Sequence, residues 1–225
     1  MSGFIKYDSR AELFKGLASV VEAQLRAALA QNGRATLAVP GGTTPAPFFA
    51  HLRIADLDWA NVTVLLTDER FVPESSDRSN TRLLRENLLQ DQAAKAVLVP
   101  FYQPADAPED VLSNLQSGVS AVLPLDVCVL GMGADMHTAS IFPEADLLAE
   151  ALADDAPVVL PMRAPNAPEP RLTLTAPVLR GAGHVHILIA GTEKQAAFEQ
   201  ARAAGTTLEA PIKIVQEQAQ THYAD

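Results

Sequence analysis

Leu13, Leu17, Val20, Val21, Leu25, Ala28 and Leu29 recur at intervals of three and four residues, a spacing that gathers them on one face and predicts a helix over residues 9–32. Ser9, with Glu12 three positions on, has the pattern of a capping box, and Asn32-Gly33 supplies a stop. The rest of the chain alternates between two kinds of stretch. Short apolar runs rich in branched residues predict strands over 35–39, 62–66, 96–99, 125–130, 158–160, 171–175 and 185–190. Helical spacing returns between them, over 45–52, 79–89, 108–122, 177–182 and 192–204. Strands separated by helices need crossover connections, so the pattern predicts a doubly wound α/β fold, a largely parallel sheet with helices on both faces. The Pro-rich stretch 164–170 is too short to divide the chain and no internal repeat is visible, so residues 1–225 are read as one domain.

Composition is that of an ordinary globular protein, 48% hydrophobic and 20% charged, which excludes a disordered or solvating chain. Charge is more informative: 17 Lys and Arg against 27 Asp and Glu leave a net −10. Nonspecific binding to nucleic acid needs many cations to neutralise phosphates, so that partner is not expected. Any anionic small molecule must be met by a local cluster of cations. The single Cys128 lies in an apolar run and reads as a buried strand residue rather than a disulfide or metal ligand. The first residues lack the features of a secretory leader, and no run approaches 18 apolar residues, so the expectation is a soluble, cytoplasmic protein without a membrane partner.

Ligands in open α/β sheets sit beyond the carboxyl ends of the strands, which directs attention to four loops. After Val39 comes Pro40-Gly41-Gly42-Thr43-Thr44-Pro45, where glycines permit close backbone approach, hydroxyls are available and Pro45 suits a helix start. Phosphate binding and a turn that merely needs glycine are both open there, but the GxxxxGK pattern of a nucleotide-binding P-loop is missing. After Leu66 comes Thr67-Asp68-Glu69-Arg70, either a surface charge cluster or an arginine turned into a cleft and held by one of the carboxylates. After Leu130 comes Gly131-Met132-Gly133-Ala134-Asp135-Met136-His137-Thr138; Met136 stands where a dinucleotide fingerprint needs its third glycine. After Ala190 comes Gly191-Thr192-Glu193-Lys194, and Lys194, like Arg171, reads either as a solvated charge or as an anion ligand.

Of the five histidines, His51 and His222 read as solvated. His184 and His186 share a strand face, without a third ligand at metal-site spacing, and read as a half-exposed face. His137 differs, because it follows a glycine loop at a strand end and has Asp135 two residues away to orient it, which makes it the candidate catalytic base. Ser140 lacks the GxSxG setting of a serine hydrolase.

In this order, PGGTTP, TDER, Arg78-Ser79-Asn80, GMGADMHTASIFP, PRLTLT and GTEK resemble the 6-phosphogluconolactonases over about residues 37–195. The resemblance implies hydrolysis of a phosphorylated sugar lactone, 6-phospho-D-glucono-1,5-lactone, with no required cofactor and no metal, by a monomer or small homo-oligomer. It implies His137 as the catalytic histidine and Asp135 as its partner. It puts Gly41, Gly42, Thr43, Thr44, Arg70, Arg171 and Lys194 at substrate and phosphate positions, and Asn80 near them. One position departs from the family pattern: Met136 replaces the glycine of Asp-Gly-His-Thr, which implies a strained loop, a narrowed cleft or compensation elsewhere. Two further readings stay open. A glucosamine-6-phosphate isomerase or deaminase resembles the same loops, but its Glu before Pro corresponds to Phe142 before Pro143. A noncatalytic sugar-phosphate-binding protein would keep the pocket and lose turnover.

Overall fold

The computed structural model describes residues 3–165 and 167–225. Met1 and Ser2, part of the stretch read for a leader, and Asn166, within the Pro-rich segment, lie outside the described residues. In chain order the strands are β1 (Phe4–Lys6), β2 (Ala35–Val39), β3 (Val62–Leu66), β4 (Asp68–Arg70), β5 (Val97–Leu98), β6 (Val127–Leu130), β7 (Val159–Met162), β8 (Arg171–Leu174), β9 (His184–Ala190) and β10 (Gln220–Ala224). The helices are α1 (Arg10–Asn32), α2 (Ala46–Leu52), α3 (Asn80–Asn87), α4 (Leu112–Ser120), α5 (Leu148–Leu152), α6 (Ala176–Arg180), α7 (Thr192–Ala203) and α8 (Lys213–Gln216).

Seven strands form one parallel sheet in the order β1-β10-β9-β6-β2-β3-β5. The chain builds outward from β2 in one direction through β3 and β5, then returns to β2's other side with β6. That reversal opens a crevice at the carboxyl ends of β2 and β6, where the two loops diverge. The largely parallel, doubly wound sheet is therefore as expected, with one correction. β7 and β8 do not join it; they run antiparallel with β4 in a separate three-stranded sheet, β4-β8-β7.

Local chemistry accounts for the boundaries. Ser9 Oγ accepts from the Glu12 N–H at 3.2 Å and Gly33 closes α1 at φ 70°, where a β-carbon would be strained. Leu13, Leu17, Val21 and Leu25 of α1 are fully buried, as is every apolar residue of β2. Cys128 is buried in β6, and burial pushes its thiol up to about 12. Among the described residues no helix is long and apolar enough to cross a membrane.

Two histidine expectations are corrected. His222 is fully buried in β10, and His186 is 1% exposed, while His184 on the same strand and His51 are exposed. The buried pair forms a polar relay: Tyr7 Oη lies 2.9 Å from His222 Nδ1, His222 Nε2 3.1 Å from His186 Nδ1, and His186 Nε2 2.8 Å from Gln24 Oε1. Hydrogen bonds at both ring nitrogens replace the water that the sequence pattern had assigned to His222. Burial drives both rings toward the neutral form, His186 down to about 3 and His222 to about 4.

Candidate active site

A cavity of about 420 Å³ occupies the crevice, within the roughly 300–1,000 Å³ usual for small-molecule sites. The loops after β2, β6 and β9 line it, together with β4, β8 and the start of α3.

The loop after β6 is folded back on itself. Gly133 N–H donates to the His137 carbonyl at 2.9 Å, Met136 N–H to the Gly133 carbonyl at 3.1 Å, and Thr138 Oγ1 to the Gly131 carbonyl at 2.9 Å. This fold brings His137 Nδ1 to 2.5 Å from Asp135 Oδ1. Burial alone would raise the Asp135 carboxyl, but the hydrogen bond and charge of His137 outweigh it and hold the group below its ordinary value. A β-carbon on Gly133 would stand 2.1 Å from His137 Nδ1 and 2.2 Å from Asp135 Oδ1, so the pair rests directly against that glycine. His137 lines the cavity, whereas Asp135 is exposed and does not.

Met136 has φ 66° and Ala139 φ 49°, two non-glycine residues in the left-handed region within one loop. The Met136 carbonyl accepts from Ile212 N–H at 3.1 Å, and its side chain packs against the core without lining the cavity. Of the consequences expected from the missing glycine, backbone strain is present and narrowing of the cleft is not.

The opposite wall is cationic. Arg70 of β4 and Arg171 of β8 are directly paired across the antiparallel ladder, an arrangement of like charges that costs stability. Arg171 is 8% exposed, and its pKa is lowered by burial first and by the Arg70 charge second. The Nε atoms of both arginines are buried without a partner, as is Asn80 Oδ1. Among the described residues no carboxylate bonds the Arg70 guanidinium, which donates to the Arg78 carbonyl at 2.7 Å; of Arg70, Glu69 reaches only the backbone N–H. Asp68 instead accepts from Ser140 Oγ at 2.6 Å, and Glu69 turns away into α3.

Gly41, Gly42, Thr44, Asn80 and Lys194 line the same cavity; Thr43 does not, being exposed with its carbonyl accepting from Ala46 N–H. Gly42 adopts φ 84°, and a β-carbon on Gly41 would fall 2.0 Å from the Asn80 side chain. Sequence reasoning did not single out Phe142 as a site residue. Its ring centroid lies 4.3 Å from that of His137 and 6.0 Å from the Arg171 guanidinium carbon. The signal was the aromatic side chain five residues after His137 in the same loop, which the rival reading had used only as a mismatch.

The family described as glucosamine-6-phosphate isomerases/6-phosphogluconolactonase matches residues 8–223. A 6-phosphogluconolactonase of Rhizobium meliloti is 48% identical over 93% of this chain and 91% of its own length, and one of Mesorhizobium japonicum is 46% identical over 93% and 88%. The crystal structure of a 6-phosphogluconolactonase from Shewanella baltica superposes with a TM-score of 0.95 at 31% identity, covering 99% of this chain and 97% of that one. With the profile match nearly end to end and close relatives of one kind, the chain belongs to the glucosamine-6-phosphate isomerase/6-phosphogluconolactonase family, among its 6-phosphogluconolactonases.

Proposed function

We propose that this protein is a carboxylic-ester hydrolase that opens the ring of 6-phospho-D-glucono-1,5-lactone to 6-phosphogluconate, with His137 as general base. The observation that carries the reading is the 2.5 Å His137–Asp135 pair facing a paired-arginine wall across one cavity. The names of the close relatives support the same activity.

Asp135, held ionised at neutral pH, accepts the Nδ1 proton of His137 and so leaves Nε2 as the basic nitrogen. Nε2 takes a proton from water as the oxygen attacks the lactone carbonyl. The resulting imidazolium returns that proton to the ring oxygen as the C–O bond breaks, so the proton balance closes over the cycle. Arg70, Arg171 and Lys194, with Gly41, Gly42, Thr44 and Asn80, hold the distant phosphate and the sugar body. Binding energy spent there orients the reacting carbon. The buried, unpartnered Nε groups of the two arginines favour an anion between them.

Deamination is disfavoured because Phe142, with its ring 4.3 Å from that of His137, stands where the deaminases' Glu would be and cannot exchange a proton. A purely binding role has Met136 as its motive, yet the strain at that residue leaves the dyad intact. The test generates the lactone in place and follows its loss beside ammonia release from glucosamine 6-phosphate, for wild type and His137→Ala. The expected result is lactone hydrolysis without ammonia, a fall in kcat of about 10²–10⁴-fold in the variant, and retained 6-phosphogluconate binding. Wild-type turnover in His137→Ala, after subtraction of spontaneous hydrolysis, refutes the assignment.

A further inference from the structure

Glu69 is 0% exposed and takes no part in the chemistry above, yet it is the most heavily hydrogen-bonded carboxylate near the cavity. Its Oε1 accepts from Arg70 N–H at 2.7 Å and Asn80 N–H at 2.8 Å. Its Oε2 accepts from Thr81 N–H and Thr81 Oγ1, both at 2.7 Å, and from Ser79 Oγ at 3.3 Å. None of these five donors is a charged side chain. The carboxylate therefore closes the first turn of α3 from a different strand, while Ser79 caps Arg82 N–H in the ordinary way.

Two cavity residues depend on that tie. Asn80 is the first residue of α3; its amide donates to the Asp68 carbonyl at 2.9 Å and its side chain rests against Gly41. Arg70 donates its only side-chain hydrogen bond among the described residues to the carbonyl of Arg78, just ahead of the Ser79 cap. The β4–α3 junction thus fixes both groups, and one carboxylate fixes the junction. The His137–Asp135 pair, in contrast, is braced within its own loop by Gly133 and Thr138.

We propose that Glu69 is a positioning residue of the substrate site, acting through Arg70 and Asn80 on binding of the phosphorylated substrate rather than on the bond-breaking step. The inference rests on the lactonase reading for its kinetic form. A glutamine fits the space but fails the chemistry, since its NH2 group must face donors at one corner of a site built wholly of donors. Burial pushes the Glu69 carboxyl above its ordinary value, with the Thr81 hydroxyl and the three backbone N–H groups pulling it back.

The experiment compares wild type, Glu69→Gln, Thr81→Val and Ser79→Ala by steady-state kinetics and by calorimetric binding of inorganic phosphate and 6-phosphogluconate. Glu69→Gln is expected to raise KM and both dissociation constants by about tenfold or more, the worth of one misplaced charged hydrogen bond, with kcat within about threefold. Thr81→Val, which removes one donor, should move the same quantities in the same direction by a smaller factor, and it carries the test if Glu69→Gln does not fold. In an Arg70→Ala, Asn80→Ala background, Glu69→Gln should add less than about twofold, because its effect passes through those side chains. A merely structural role would lower the thermal midpoint and the active fraction and leave KM alone. Unchanged KM and affinity in folded Glu69 or Thr81 variants, or full additivity in the double background, overturns the proposal. If the wild type binds these anions without hydrolysing lactone, the lactonase reading falls and the affinity comparison still decides the role of Glu69.

Discussion

The relay Tyr7–His222–His186–Gln24 makes acid stability a quantitative matter. With both rings neutral, the bonds run in one direction: Tyr7 O–H to His222 Nδ1, His222 Nε2–H to His186 Nδ1, and His186 Nε2–H to Gln24 Oε1. A first added proton places a charge between two neutral ends, and a second sets N–H against N–H across 3.1 Å. His184, at the start of the same strand, adds repulsion to any charge on His186. The folded rings resist protonation down to about 3 and about 4, whereas an unfolded histidine titrates near 6.5. The stabilisation is therefore fully present above pH 6.5 and is lost as the pH falls toward those folded values, because the unfolded chain binds the protons first. At pH 5 each histidine favours unfolding by about 2 kcal/mol relative to pH 8, so the pair removes about 4 kcal/mol. That is a large share of the roughly 5–15 kcal/mol typical of a domain. Urea unfolding between pH 8 and 5 should show the loss in the wild type, at up to about 3 kcal/mol per pH unit below pH 6, and a much flatter profile in His186→Gln, His222→Gln. Imidazole nitrogen shifts of the native protein should stay in the neutral range to pH 5. Native-state titration of either ring near 6.5, or parallel pH profiles for the two proteins, would falsify the account.

Three smaller perturbations bear on the site. Gly133→Ala drives a β-carbon into the His137–Asp135 pair and should lower kcat by about 100-fold in a chain whose circular dichroism is unchanged; a kcat within threefold of wild type contradicts the close packing. Met136→Gly relieves a left-handed non-glycine residue worth about 1 kcal/mol, partly offset by lost packing, so the thermal midpoint should hold or rise with activity retained. A fall in midpoint would show that the backbone had already relaxed. Lys194→Ala removes a cation from the first turn of α7, where the helix dipole disfavours it; stability should rise by about 0.5 kcal/mol as product affinity falls, and movement of both in the same direction counts against a binding role.

The elements that were legible in the sequence are those with a long or fully apolar signature: α1, and the interior strands β2, β3, β6 and β9. β10 was missed because Gln220, Thr221 and His222 look solvated, and only the relay from Tyr7 and His186 makes a buried histidine tolerable there. β4 was missed because its three residues are all charged; it is held by ladder bonds to β8, and its side chains divide between the cavity and α3. The segregation of β7 and β8 into a second sheet left no trace in periodicity, since an antiparallel strand buried on both faces has the same apolar run as a parallel one. In the site, His137 and Asp135 could be paired from their spacing alone, and the glycine loops from their position after strands. The cross-strand meeting of Arg70 and Arg171, far apart in the chain, could not be read from local pattern, nor could the close approach of Phe142 to His137.

That meeting of Arg70 and Arg171 also bears on how the chain can vary in length. Both cations sit at partnered rungs of one ladder, so their convergence is encoded by registry rather than by the conformation of a flexible loop. A one-residue insertion or deletion inside either strand would turn the following side chains to the opposite face and separate the two charges at a stroke. Residues 73–77, 163–165 and 167–168 lie outside those rungs. Descendants of this sequence should therefore gain and lose residues in those connections while the lengths of Asp68–Arg70 and Arg171–Leu174 stay fixed.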